Sequence, residues 1–150
     1  MNSDEIIKMV QHHQKHLRKL DHPNIEKLYD SRVISNDPNS SALMVMEYHE
    51  GHNLFEFKIR WKCPENIYIR IIKHLLSAVK YCHSKKVIHQ DIKASNVMVC
   101  RDKNGNYVIK LVDFDMPVKK NGFLKTKKII GTEDYRALEL FEVKLDGDHK

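Results

Sequence analysis

Residues 87–99, with the sequence V-I-H-Q-D-I-K-A-S-N-V-M-V, constrain this chain more than any other stretch. A short apolar run, a polar segment and a second apolar run follow one another, which predicts a strand, a loop and a strand. The loop holds the carboxylate of Asp91, the ammonium of Lys93 and the carboxamide of Asn96. These groups suit phosphoryl transfer, because the carboxylate can accept a hydroxyl proton, the ammonium can lie against a transferring phosphate, and the carboxamide can offer an oxygen to magnesium.

Two segments further along the chain carry related chemistry. Residues 103–106, K-N-G-N, predict a turn, and residues 107–112 predict an apolar strand that leads directly into Asp113. Hard cations take oxygen ligands, so Asp113 at a strand end beside Asn96 would make a metal-binding pair. The last segment contains Gly131-Thr132, followed by Tyr135, Ala137 and Glu139.

These segments resemble the signature motifs of the eukaryotic protein kinase family, serine/threonine type. Residues 89–96 are similar to the catalytic loop H-R-D-x-K-x-x-N, residues 113–115 to D-F-G, and residues 131–139 to A-P-E with its preceding G-T-x-x-Y. Upstream, residues 20–25 look like the family's link from helix C to strand 4, and residues 44–48 look like strand 5 and the hinge. The alternative is a set of ordinary loops and strands that match five motifs by chance, in family order and over nearly the whole chain.

The resemblance implies an α+β chain with a partial protein kinase-like fold. Residues 1–48 would be a remnant of the small-lobe antiparallel sheet with helix C. Residues 49–150 would be the helical first half of the large lobe, with the catalytic loop and the activation segment. A complete kinase domain is substantially longer, so the chain looks like the middle of one, without the glycine-rich loop and the strand-3 lysine.

Apolar periodicity predicts the elements of this partial fold. Helical spacing begins after a cap at Ser3 and ends near residue 20, and strands at 25–34 and 42–48 would form an antiparallel hairpin. A short helix is expected over residues 53–61 and a longer one from Pro64-Glu65 to about His83. The buried face of the longer helix is predicted to contain Tyr68, Ile71, Ile72, Leu75, Leu76, Val79 and Cys82. Four positions would stack as the family's regulatory spine: Leu17, Leu28, His89 and Phe114.

The resemblance also implies roles for individual residues. Asp91 would orient and deprotonate the substrate hydroxyl, Lys93 would neutralise charge on the moving phosphate, and Thr132 would bond both. Mg²⁺ would be held by Asn96 and Asp113. ATP would be held by the gatekeeper, two hinge residues, a ribose contact and a large-lobe adenine contact, which fall on Met46, Glu47, His49, Asn53 and Met98.

Several positions depart from the family pattern. The helix-C glutamate that normally holds the strand-3 lysine falls on His13. Gln90 replaces the arginine that pairs with a phosphorylated activation loop, so phosphorylation need not act through that contact. Asp115 replaces the conformationally permissive glycine of D-F-G, and Leu138 replaces the proline of A-P-E.

Charge and cysteine content argue against other classes of protein. The formal net charge of +6 comes from 26 basic and 20 acidic side chains that are scattered, so we expect no nucleic-acid-binding patch. Cys63, Cys82 and Cys100 form no pair motif, which favours free thiols in a reducing compartment. The polar N-terminus is unlike a signal peptide, and no apolar run reaches membrane-spanning length. We therefore expect an intracellular, cytoplasmic protein that binds neither nucleic acid nor membrane.

Two functions fit these features. The first is transfer of the γ-phosphoryl group of ATP, with Mg²⁺, to a serine or threonine hydroxyl of a protein substrate. The alternative is a non-catalytic pseudokinase fragment that works as a protein-binding module and docks a partner through open strand edges.

Overall fold

The computed structural model describes residues 11, 14–34, 41–114, 118–119 and 131–136. It contains both helices and antiparallel strands, and the prediction of an α+β chain is confirmed. In chain order the elements are β1 (Leu28–Ile34), β2 (Ser41–Met46), β3 (Gly51–Asn53), α1 (Leu54–Arg60), α2 (Glu65–Ser84), β4 (Val87–Ile88), β5 (Val97–Arg101), β6 (Tyr107–Leu111) and β7 (Val118–Lys119). Single turns of 3₁₀-helix lie at Ala94–Asn96 and Glu133–Tyr135.

The predicted antiparallel hairpin is present as β1 and β2, with a bulge between Leu28 and Asp30. Both strands are shorter than predicted at the ends that meet the rest of the chain. The N–H of Glu47 still donates to the carbonyl of Lys27, at 2.8 Å. One residue earlier, the N–H of Glu26 donates to the carbonyl of Leu111 instead, at 3.0 Å. The backbone therefore leaves the hairpin here because it pairs with β6.

The antiparallel sheet β3–β5–β6 lies at the centre of the hydrophobic core. Side chains alternate between its two faces, as the two-residue period of a strand requires. One face contacts α2 and is buried through Val97, Val99, Ile109 and Leu111. On the other face Met98 lies opposite Lys110 in the strand register. This hairpin carries the predicted metal-binding residues at one end, where β5 begins and β6 ends.

The two helices match the predicted ranges. Asn53 caps α1, because its side-chain oxygen accepts a hydrogen bond from the N–H of Glu56 at 2.9 Å. Within α2, however, the prediction that Ile72 and Leu76 are buried is wrong, since they are 54% and 63% exposed. Neighbouring helix residues point about 100° apart. The stripe that meets the sheet runs through residues 71, 75, 78 and 82, so Ile72 and Leu76 lie on the adjoining flank.

The segment His22–Asn24 fastens the hairpin to the rest of the molecule. The side chain of Asn24 is buried and donates to the carbonyl of Ile109 at 2.9 Å. On the other side, His22 Nε2 lies 3.1 Å from Ser77 Oγ, and the His22 ring packs on Tyr81 with centroids 5.1 Å apart. The buried amide has its hydrogen bond, so this connection stabilises the fold rather than costing desolvation energy.

Several predicted features lie outside the described residues. They include the helix start at Ser3, the helix-C position His13 and the substitutions Asp115 and Leu138. The four predicted spine positions, in contrast, are all described and all buried: Leu17, Leu28, His89 and Phe114. Cys63, Cys82 and Cys100 are free thiols, as predicted. Among the described residues, no helix combines the length and the apolar character needed to cross a membrane.

Candidate functional site

The loop between β4 and β5 brings its polar side chains together by a sharp change of backbone direction. Gln90 has a φ of +73°, in the left-handed region that side chains rarely occupy. The 3₁₀ turn at Ala94–Asn96 follows and returns the chain into β5. Asp113, the residue proposed for the metal, also has a positive φ, of +66°. Such strain at non-glycine residues is concentrated at functional sites in proteins.

Asp91 is held by groups from two distant parts of the chain. Its Oδ2 lies 2.8 Å from the ammonium of Lys93 and accepts a hydrogen bond from the amide of Asn96 at 3.2 Å. Its Oδ1 accepts from the backbone N–H and the hydroxyl of Thr132, at 2.9 and 2.8 Å. Burial alone would raise the pKa of this carboxyl, but the hydrogen bonds from Lys93 and Thr132 together outweigh it and hold the pKa at about 2. Asp91 is therefore a fixed anion at neutral pH.

Lys93 and Thr132 make the contact that the family resemblance implies. The ammonium of Lys93 donates to the hydroxyl of Thr132 at 2.9 Å, and that hydroxyl donates onward to Asp91. Thr132 reaches the loop because Gly131 approaches it closely. A side chain at residue 131 would place its Cβ 3.0 Å from the carbonyl oxygen of Gln90, and the φ of +91° also favours glycine. We call Asp91, Lys93, Asn96 and Thr132 the polar cluster.

Asn96 and Asp113 are brought to the same end of the β5–β6 hairpin. Val97 pairs with Leu111 in the register, so the residues just outside that pair are neighbours. The N–H of Val112 donates to the carbonyl of Asn96 at 3.0 Å, which places Asp113 one residue from the bond. The side chain of Asn96 is buried, and its amide nitrogen donates to both the carbonyl and the carboxylate of Asp91. With the nitrogen turned to Asp91, the Asn96 carboxamide oxygen is the atom suited to a cation.

His89 links the two aspartates through the core. Its Nε2 lies 2.9 Å from the carbonyl oxygen of Val112, and its Nδ1 accepts from the N–H of Asp91 at 3.3 Å. This arrangement requires the neutral ring with its proton on Nε2. Burial lowers the pKa of His89, although the Val112 carbonyl and the negative charges of Asp113 and Asp91 oppose that effect. The ring also packs on Phe114, with centroids 4.4 Å apart, and so fixes the segment that carries Asp113.

The residues predicted to hold ATP lie along β2, β3 and β5. Asn53 and Met98 are opposite one another in the β3–β5 register. The Asn53 oxygen accepts the capping bond of α1, and its amide nitrogen is a donor suited to a ribose contact. Met46 is half-buried against the core, and Glu47 follows it directly. The backbone N–H of Glu47 already donates to Lys27, which leaves the carbonyl oxygen as its group for an adenine edge.

His49 occupies a different environment from the other proposed nucleotide contacts. Its side chain is 9% exposed and its Nε2 lies 4.0 Å from the carboxylate of Glu47. It lines a cavity of about 620 Å³ together with Trp61, Arg101 and Tyr107. None of the polar cluster, and neither of the two methionines Met46 and Met98, lines this cavity. This cavity is therefore separate from the polar cluster.

Sequence reasoning missed two residues that shape the site. Arg136 donates from Nε and a terminal nitrogen to the carbonyl of Gly131, at 2.8 and 2.6 Å, and so supports the backbone that delivers Thr132. Lys110 forms an ion pair with Glu47. Lys110 is a cationic residue in an otherwise apolar strand, Y-V-I-K-L. This position in the sequence indicates a lysine with a partner, because charged side chains are seldom buried unless they are paired.

Comparison with known proteins identifies the family. A model of the protein kinase domain matches residues 2–148. The chain is 35% identical over 126 residues to serine/threonine-protein kinase CG17528 of Drosophila melanogaster, covering 83% of this chain and 16% of that protein. It is 36% identical over 133 residues to the carbon catabolite-derepressing protein kinase of Saccharomyces cerevisiae, covering 87% of this chain and 19% of that protein. It is 30% identical over 131 residues to calcium-dependent protein kinase 5 of Plasmodium falciparum, covering 87% of this chain and 22% of that protein.

The chain thus spans less than a quarter of the length of each of these relatives. The match covers both the hairpin β1–β2 and the segments that form the polar cluster. The predicted partial kinase-like fold is therefore confirmed.

Proposed function

The chain belongs to the protein kinase family, and on that premise we propose that Asn96 and Asp113 bind Mg²⁺-ATP. Asp91 and Lys93 of the polar cluster would then promote transfer of the γ-phosphoryl group to a serine or threonine hydroxyl of a protein substrate. The observation that carries the proposal is a pair of contacts at one end of the β5–β6 hairpin. The Asn96 amide lies 3.2 Å from the Asp91 carboxylate, and the bond from Val112 to Asn96, at 3.0 Å, places Asp113 beside them.

We assign the acceptor side of the reaction to Asp91 and Lys93. Asp91 is anionic at neutral pH because its pKa is about 2, so it can accept a hydrogen bond from the substrate hydroxyl. A carboxylate with so low a pKa is a weak base. It would therefore orient the hydroxyl first and take its proton only as the bond to phosphorus forms. Lys93, fixed by Asp91 and Thr132, places a positive charge where negative charge develops on the phosphoryl oxygens.

We assign the donor side to the oxygens of Asn96 and Asp113. A carboxylate and a carboxamide are hard oxygen donors, the type that Mg²⁺ prefers. When bound, Mg²⁺ would supply charge neutralisation to the phosphate oxygens. At the other end of the nucleotide, the carbonyl of Glu47 would accept from the adenine, Met46 and Met98 would contact its ring, and the Asn53 amide would reach the ribose. His49 would contribute its backbone only, because its side chain faces the separate cavity.

The test is thermal stabilisation by ATP at millimolar concentration, with and without Mg²⁺. A ligand that binds only the folded state stabilises it in proportion to the logarithm of its concentration over Kd, so we expect the Tm to rise by a few degrees when Mg²⁺ is present. Asp113→Asn should remove the part of the shift that depends on Mg²⁺, because it removes a carboxylate ligand.

Asp102→Asn is the matched control. Asp102 lies at the opposite end of the same hairpin, and its Oδ1 accepts from the N–H groups of Asn104 and Asn106. An asparagine oxygen can accept both bonds, so this variant should keep the full Mg²⁺-dependent shift. Equal loss of the shift in both variants would contradict the metal assignment.

A second candidate function is supported by exposed apolar surface. Leu43 and Val45 of β2 are 55% and 46% exposed, and Ile72 and Leu76 of α2 are also largely exposed. Apolar surface beside a strand edge suits docking of a partner. If the unmodified chain shows no shift with ATP and Mg²⁺, the non-catalytic protein-binding module is the better account.

A boundary between the two parts of the domain after residue 48, and a cytoplasmic location, remain predictions.

A further inference from the structure

Glu47 and Lys110 form an ion pair between two segments that are far apart in the sequence. The ammonium of Lys110 lies 2.8 Å from each carboxylate oxygen of Glu47. The two side chains are 26% and 17% exposed, so water screens the pair only in part. Glu47 follows β2 directly, and Lys110 lies in β6, three residues before Asp113. The pair therefore joins the proposed adenine-contacting segment to the strand that leads to the proposed metal ligand.

The carboxylate of Glu47 is also positioned from a second direction. Its Oε2 accepts a hydrogen bond from the N–H of Lys27 at 3.3 Å. The backbone N–H of Glu47 donates to the carbonyl of the same residue at 2.8 Å. Lys110 in turn lies opposite Met98 in the β5–β6 register. We call residues 47–49 the hinge segment; the ion pair fixes its first residue against the face of the sheet that carries Met98.

We propose that Lys110 is a positioning residue that holds the hinge segment at a fixed distance from the metal-binding end of the β5–β6 hairpin. This inference rests on the proposed function for its effect on nucleotide binding. A ligand that reaches both ends benefits from their fixed separation, because the second contact is then made without further loss of freedom. A ligand that reaches only one end does not gain from it.

Three ligands separate these cases: adenosine, Mg²⁺-tripolyphosphate and Mg²⁺-ATP. In Lys110→Met we expect the Kd of Mg²⁺-ATP to rise roughly tenfold, or about 1.4 kcal/mol. The Kd values for adenosine and for Mg²⁺-tripolyphosphate should change by less than about twofold, since each uses one end. Titration calorimetry measures all three constants. A merely structural role would weaken the three ligands alike.

Further variants test whether the effect belongs to the pair. Glu47→Gln should reproduce the change, and the double variant Glu47→Gln/Lys110→Met should lose no more than either single variant, as expected for interacting side chains. Lys110→Arg keeps a charged donor that suits a carboxylate, so it should retain most of the affinity for Mg²⁺-ATP. Lys27→Met removes an exposed lysine whose own partner is Asp21, and it should leave all three constants unchanged.

Hydrogen exchange of the Glu47 amide tests the positioning role without any ligand. Loss of the ion pair should speed exchange of this N–H in Lys110→Met, and it should not do so in Lys27→Met. An unmodified chain that binds none of the three ligands would contradict the proposed function, and the positioning of the hinge segment would still be decided by exchange. The inference would be overturned if Lys110→Met left the exchange rate of the Glu47 amide unchanged. It would also be overturned if this variant weakened binding of all three ligands equally, or if it bound Mg²⁺-ATP more tightly.

Discussion

Replacing Asp91 by asparagine should lower the rate of phosphoryl transfer to a serine peptide by roughly 10²- to 10⁴-fold, the range typical of loss of a positioned proton acceptor. The substitution keeps one oxygen for Thr132 but removes the negative charge that pairs with Lys93 and that we propose accepts the hydroxyl proton. The rate is measured with radiolabelled ATP and Mg²⁺ at saturating peptide. Binding of Mg²⁺-ATP should change little, because Asp91 is not a proposed metal ligand.

Asp102→Asn is again the matched control, and it should transfer phosphate at the rate of the unmodified chain. If Asp91→Asn keeps the full rate, the assignment of Asp91 as the group that orients the hydroxyl is wrong. If the variant loses Mg²⁺-ATP binding together with the rate, Asp91 acts on the nucleotide rather than on the acceptor.

Ile71→Ala and Ile72→Ala should reduce the free energy of unfolding by very different amounts. We expect this difference to be larger than for alanine substitutions at any other pair of adjacent identical residues among those described. Ile71 is 1% exposed in the core, whereas Ile72 is 54% exposed on the same helix. Truncating a buried isoleucine removes transfer free energy and leaves a cavity, so Ile71→Ala should reduce the free energy of unfolding by about 2–5 kcal/mol. Urea denaturation followed by circular dichroism measures this change.

Ile72→Ala provides the comparison, because the same atoms are removed one residue away. It should change the free energy of unfolding by no more than about 0.5 kcal/mol, as expected for a surface position. Equal destabilisation by the two substitutions would mean that both flanks of α2 are buried, as apolar spacing alone predicts, and that the described packing of the helix is wrong.

The contrast between these isoleucines shows what the sequence can and cannot predict. Periodicity correctly predicts a helix from residue 65 to the region of residue 84, because the apolar residues recur at three- and four-residue spacing. It does not identify which of two adjoining apolar stripes meets the sheet. That choice depends on where β6 lies, and the position of β6 is set by residues far away in the chain.

The sequence predicts the residues of the polar cluster, but it does not predict the contacts that support them. Asp91, Lys93 and Asn96 are close in the sequence, and the family motifs add Thr132 and Asp113 from a distance. The bonds from Arg136 to Gly131 and from Lys110 to Glu47 follow from none of these motifs. These two contacts depend on how the backbone is folded around the side chains. Residue type alone therefore shows a charged side chain at an unexpected position in the sequence, but it does not identify the partner.

The proposed function depends most on Asn96 and Asp113, which would hold a divalent ion together with the phosphates of ATP. The most direct measurement uses Mn²⁺ in place of Mg²⁺ and records which amide NMR signals it broadens when ATP is present. We expect the signals of residues 91, 96 and 112–114 to broaden first and those of residues 102–106, at the far end of the hairpin, to broaden less. Asp113→Asn should remove the effect. Broadening centred on the 102–106 turn or on the cavity beside His49, and unchanged in Asp113→Asn, would contradict the proposed function.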